Sequence, residues 1–202
     1  LTMAYTAKDK RGATAGFDLD MNQILVNKLI SLFPSIDTLV PMLRSFEGVV
    51  DCQITATCRM DSTMSLVLPS VQSACYLSGK DMVLLDGETF AEISKTLMFK
   101  NKKRNVIDSI AVDLAVHDNK IEVFPFLVEM DRYRVAVGGT HKLDMTFNYH
   151  ISVLKSPVPF KLGIDITGNL DDFKFKITKC KYKDLFKPAK QAELDSTRRN
   201  VR

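Results

Sequence analysis

The sequence predicts a mainly β (α+β) fold: a large antiparallel, strongly twisted sheet with one apolar face, partly covered by two or three helices. Three observations lead there. From Leu143 to Val153, apolar side chains (Leu143, Met145, Phe147, Tyr149, Ile151, Val153) alternate without a break with polar ones (Asp144, Thr146, Asn148, His150, Ser152). A period of two is that of a strand with one buried and one solvated face. Further runs of this kind follow one another through short turns such as Asp118-Asn119, as antiparallel hairpins require. Long helical spacing is confined to two stretches, near 22–33 and 88–98.

Taken in order, Leu1, Met3, Tyr5 and Ala7 alternate, residues 8–12 turn, and Ala13, Ala15, Phe17 and Leu19 alternate back. Asp20 or Asn22 offers an N-cap for a helix with Ile24, Leu25, Leu29 and Leu32 on one stripe, stopped by Pro34. Ser35 opens a short segment to Phe46 that Pro41 breaks. Residues 48–60 read as a strand, 61–74 as a surface connector holding Pro69, and 76–85 as the next strand. Asp86 caps a helix over 88–98 with Phe90, Ile93 and Leu97 inward, and 100–105 is a basic, solvated loop. Strand–helix–strand thus occurs twice, as a weak repeat.

From Val106 on, strands follow closely. Ile110, Val112, Leu114 and Val116 share a face, and residues 121–130 return. Pro125 deletes a ladder hydrogen bond and marks an edge or a bulge. Gly138-Gly139 is either a hairpin turn or a close approach inside a strand, with the turn then near 143–145; period alone leaves both open. Phe160, Leu162, Ile164 and Ile166 form a strand after Pro157 and Pro159, and Phe173, Phe175 and Ile177 another. The divisions expected are 1–74 (a strand–helix–strand unit plus connector), 75–182 (the main sheet) and 183–202 (a basic, disordered tail).

The 202 residues suffice to bury a core. The net charge of +4 resides in the tail, where seven basic residues face three acidic ones from Lys181 to Arg202. A solvated terminus explains it without nucleic acid, which needs a basic face on the fold. The chain opens on Leu1 with neither a signal peptide nor a membrane-length apolar run, and reads as an excerpt of something longer. Cys52 and Cys58 lie about 20 Å apart along one strand, beyond disulfide reach, and are expected as buried free thiols. Pairing of Cys75 and Cys180 stays open.

Catalytic patterns fail on geometry. Asp144, His150 and Ser152 share a polar face, but Asp144 is about three times as far from His150 as Ser152, which is roughly 7 Å away, and cannot orient the imidazole. All three are expected to be solvated on the outer face. His117 and His141 lie near turns without metal-ligand spacing. No GxGxxG loop precedes a helix, and Asp171-Asp172 reads as a turn. Phe173-Lys174-Phe175-Lys176 places aromatic and basic side chains on opposite faces, against single-strand stacking. No enzyme, cofactor or metal is read. By the residues alone, helices 24–33 and 88–98 covering the apolar face as a core is the simpler reading; too few helices for some ten strands, leaving a face for lipid or another chain, is the other.

The series VFPFLVEMD, VAVGGTHKLDMTFNYHISV, SPVPF and LGIDITGNLDDFKFKI, in that order, resembles the C-terminal region of AsmA-like proteins, bacterial envelope proteins related to the TamB group. Pro125-Phe126, Gly139 with Leu143-Asp144, Asn148-Tyr149 and Ile166-Thr167-Gly168-Asn169-Leu170 stand at the family's short motifs, as does the unit around LSGKDMVLLDGETFAEISKTLMF; coverage runs from about Tyr76 to Tyr182. The resemblance implies a periplasmic β-sheet groove, anchored in the inner membrane of a Gram-negative bacterium by a segment outside this chain. It further implies a part in outer-membrane biogenesis and phospholipid, or another acyl lipid, as ligand, with other envelope proteins as partners. It places the turn at 143–145. The side chains it assigns to lipid are Phe147, Tyr149, Ile151, Val153, Leu162, Ile164, Ile166, Phe173, Phe175 and Ile177. A capping or assembly domain with no lipid is the alternative.

Overall fold

The computed structural model describes residues 2–9, 12–32, 41–63, 65–84, 105–130, 133–156, 161–169 and 172–186. Ten described strands occur: β1 Thr2–Asp9, β2 Gly12–Leu25, β3 Phe46–Met60, β4 Gln72–Leu84, β5 Asn105–His117, β6 Lys120–Met130, β7 Tyr133–Lys142, β8 Phe147–Lys155, β9 Gly163–Gly168 and β10 Phe173–Thr178. They lie side by side in one open sheet in chain order, each antiparallel to the next. The mainly β, antiparallel expectation holds. The β3–β4 ladder runs from Phe46 opposite Leu84 to Thr57 opposite Gln72, with one register shift between Glu47 and Val49.

The first helix starts later than the capping pattern predicts. Strand β2 continues through Leu25, with Ile24 opposite Val50 and Leu25 opposite Val49, across a register shift after Met21. The shift absorbs Asn22 and Gln23, the residues at the expected cap. Gln23 takes a φ of 57°, and its N–H donates to the Asp51 carboxylate (2.8 Å). The long β3 ladder therefore outcompetes the helix until α1, Val26–Leu32. Pro41 is the first residue of a 3-10 turn, Pro41–Ser45, where its missing N–H costs nothing. Strand β4 reaches back to Gln72, so the connector after β3 is shorter than expected and ends in a 3-10 turn at Leu68–Ser70. The helix expected over 88–98 and most of the basic loop lie outside the described residues.

Pro125 stands inside β6, where neither neighbouring ladder pairs it. The β6–β7 register shifts between Val123 and Phe126, and the β5–β6 ladder ends with Leu114 opposite Val123, so the missing N–H falls at a bulge. Asp118 and Asn119 both take positive φ (50° and 64°), the geometry of a type I′ hairpin turn. Gly138-Gly139 lies within β7, and the β7–β8 turn falls at 143–146, closed by Lys142 N–H to Thr146 C=O (2.8 Å) and Met145 N–H to Lys142 C=O (3.0 Å). The resemblance-based placement of that turn is right.

Two apolar clusters hold the described structure. One gathers Val26 and Leu29 of α1 with Val50, Cys52, Leu77, Met82, Ile107, Ile110, Val112, Ile121 and Val123. The other gathers Val135, Ile151, Val153, Ile164 and Ile166 from β7, β8 and β9. Fully burying each aliphatic side chain contributes about 1.5–3 kcal/mol, which favours the register that buries them together over any one-residue slip. All four cysteines are free thiols, Cys52 and Cys58 buried as expected.

Candidate functional site

The ten side chains assigned by resemblance come together at the β8–β10 end of the sheet. Phe147, Tyr149, Ile151 and Val153 alternate along β8. Across the β8–β9 ladder, Tyr149 faces Ile166 and Ile151 faces Ile164. Across β9–β10, Ile166 faces Phe175, Ile164 faces Ile177 and Gly168 faces Phe173. Leu162 precedes β9; its C=O accepts the Val153 N–H (2.8 Å) and its side chain packs on the second cluster. Burial declines outwards from Ile164 (1% exposed) to Ile177 on the last strand (69%). Phe173 and Phe175 meet edge to face with centroids 5.2 Å apart, a favourable aromatic geometry.

Residues the sequence reading left out complete this patch. Val135 and Val137 of β7 lie opposite Val153 and Ile151. The same register puts His141 opposite Phe147, and His141 Nδ1 is 2.9 Å from the Tyr149 hydroxyl. Burial pushes the Tyr149 phenol up to about 12, so it stays a neutral hydrogen-bonding group. The signal for His141 was its parity with Val135, Val137 and Gly139 in a single strand.

On the other face of β8 and β9, His150 and Ser152 are buried (3% and 0% exposed), which corrects their expected place in solvent. Asp144 is not near them. Its carboxylate accepts the Thr146 N–H (2.9 Å) and hydroxyl (2.6 Å) within the β7–β8 turn. The carboxylate at His150 is instead Asp165, its register partner on β9, with Oδ1 2.5 Å from Nδ1. The Ser152 hydroxyl is 2.9 Å from Nε2. What buries the group is the segment after β10. Lys181 N–H donates to His150 Nε2 (3.3 Å), Tyr182 N–H to Ser152 Oγ (3.0 Å), and Lys181 Nζ to Asp165 Oδ1 (2.8 Å). The Tyr182 ring stands edge-on to the imidazole, centroids 5.1 Å apart.

Hydrogen bonds alone would fit a Ser–His–Asp relay. Nucleophilic attack needs an open approach to Oγ and donors for an oxyanion. Ser152 has no exposed surface, and its oxygen is already engaged by the Tyr182 N–H. The arrangement therefore holds chain against sheet. Burial pushes the Asp165 carboxyl up, but the Lys181 ammonium and the His150 ring N–H outweigh it and hold the group below the usual carboxylate range.

Among the described residues, no group of three or more His, Cys, Asp or Glu side chains is placed to hold a metal ion, and no helix is long and apolar enough to cross a membrane. A shallow open cleft lies between Thr146, Thr167, Asn169 and Lys174. No family model, curated protein or solved structure matches the chain.

Proposed function

We propose that the chain is a non-enzymatic module that holds phospholipid, or another acyl lipid, against one apolar face of its sheet. On this reading it is a periplasmic part of an AsmA-like envelope protein, anchored in the inner membrane and serving outer-membrane biogenesis. One observation carries the proposal. In successive ladders Leu19, Ile54, Cys75, Leu114, Val123, Gly139, Tyr149, Ile166 and Phe175 stand opposite one another, one from each strand from β2 to β10. Paired residues share a face, so a single row free of charge crosses nine strands. At about 4.8 Å per strand it runs roughly 38 Å, more than the ~30 Å hydrocarbon core of a bilayer. Sheets this wide accumulate twist and curl, which would turn such a face into a trough. Val26 and Leu29 of α1 pack over its β2–β3 end, leaving the β8–β10 end, with exposed Ile177, as the place where lipid enters.

A second reading, a capping or assembly domain without lipid, is favoured by the deep burial of Val153 and Ile164 (2% and 1% exposed), which need no ligand to cover them. Native mass spectrometry of the chain expressed in a Gram-negative periplasm separates the two. The lipid reading expects co-purifying phospholipid, lost in Ile177→Asp while the melting temperature is kept. A clean apo mass, together with no uptake of fluorescent phospholipid from vesicles, overturns it in favour of the second.

A further inference from the structure

Residues 179–186 follow β10 without joining the sheet, and Lys179, Lys181 and Tyr182 among them lie on the polar face of β8 and β9. Their seat is made by what the strands omit. A Cβ on Gly163 would collide with the Lys179 carbonyl and stand 2.6 Å from His150 Cε1, and one on Gly138 would stand 3.1 Å from the Tyr182 hydroxyl. Two consecutive backbone N–H groups, of Lys181 and Tyr182, are accepted not by a neighbouring strand but by the side chains of His150 and Ser152.

The protonation of the imidazole follows from its partners. Asp165 is an acceptor, so Nδ1 carries the proton and Nε2 presents its lone pair to the Ser152 hydroxyl and the Lys181 N–H. The groups facing His150 are Ser152 on its own strand, Asp165 on β9, and Lys181 and Tyr182 on the crossing segment; its β7 partner, Gly138, has no side chain. A second proton on the ring would remove the lone pair that accepts the Lys181 N–H and bring a positive charge beside the Lys181 ammonium. Asp165 is held below the usual carboxylate range, and Tyr182 is raised by burial and by Asp165.

We propose that residues 179–186 are a detachable strap latched by neutral His150, and that acidification releases the strap and uncovers the Ser152 face of β8. The device is independent of the lipid reading, which concerns the opposite face of the sheet.

Hydrogen–deuterium exchange of the full chain, corrected for the intrinsic pH dependence of exchange, tests it. Between about pH 7.5 and about pH 5.5, protection of the 181 and 182 amides should fall roughly tenfold or more, while β7–β8 ladder amides keep theirs. In His150→Gln, whose side-chain oxygen accepts but does not titrate, the pH dependence should vanish. In Ser152→Ala the strap should be less protected at both pH values yet still respond to acid. Imidazole ¹⁵N shifts of the unaltered protein, which need no variant to fold, should show Nε2 unprotonated at neutral pH. Strap protection that ignores pH, a response that survives in His150→Gln, or a protonated Nε2 at neutral pH overturns the proposal.

Discussion

Tyr149 lies directly over the backbone of Gly139, its partner across the β7–β8 ladder. A Cβ at position 139 would stand 2.7 Å from both Tyr149 Cα and Cδ1 and would strike the Asn148 carbonyl. The bare glycine lets the ring cover the strand, a packing that also rescues a residue poor at holding extended structure. Gly139→Ala is expected to cost about 2 kcal/mol, because backbone must move. Gly16→Ala is its control: the added Cβ meets only ordinary contacts at 3.6 and 3.7 Å, and restricting the unfolded chain should stabilise by about 0.5 kcal/mol. Urea denaturation of the pair gives both signs, and equal losses would refute the close approach.

Ile151 is buried at 8% exposure, whereas Ile177 is 69% exposed on the same side of the sheet. Ile151→Asp is expected to cost on the order of 4 kcal/mol or to prevent folding, because a charge enters a cluster without a partner. Ile177→Asp should leave the melting temperature within a degree or two. Thermal unfolding followed by circular dichroism checks both.

Asp144 closes the β7–β8 turn. The Thr146 hydroxyl, then the Thr146 N–H, hold its carboxyl below the ordinary value. A depressed carboxyl stabilises the fold above its unfolded pKa, and the contribution is lost as pH falls through the lowered folded value. Asp144→Asn keeps an acceptor oxygen but no charge. The difference in denaturation midpoint between the two proteins should be constant near neutrality and shrink below about pH 4; a difference that grows on acidification would contradict the turn.

The cysteines should label in a fixed order. Cys52 and Cys58 are buried; Cys75 and Cys180 are half-buried. Cys75 is pushed up by its hydrogen bond with Cys52 and by burial, and burial raises Cys58. Thiolates, not thiols, alkylate, so iodoacetamide at neutral pH should mark Cys180 first in native protein and all four residues in denaturant. Early modification of Cys58 would refute its burial.

How much of this was legible depends on how local each cue is. Alternation through Tyr149 and Val153 shows which residues of β8 share a face, and Ile164, Ile166, Phe175 and Ile177 followed by the same parity. Asp118-Asn119 shows its turn because two positive φ angles restrict the residue types. The start of α1 was misplaced because the Gln23 bulge is imposed by β3 through Asp51, 28 positions away. Asp165 could have been found, since it stands between Ile164 and Ile166 and so points with His150. Its pairing, however, depends on the register across the β8–β9 connection. Burial of His150 and Ser152 had no local cue at all: the covering residues return from 30 positions downstream.

Because every strand hydrogen-bonds only to those next to it in the chain, the sheet can be assembled in the order in which it is synthesised. Each new strand finds its template already in place and closes a connection of at most 20 residues, at modest entropic cost. A chain that emerges slowly, from a ribosome or through a translocation pore, can thus zip up from Thr2 onwards without waiting for its far end. At every stage the growing edge exposes one unsatisfied row of N–H and C=O groups, and the next segment to satisfy it is the next one out.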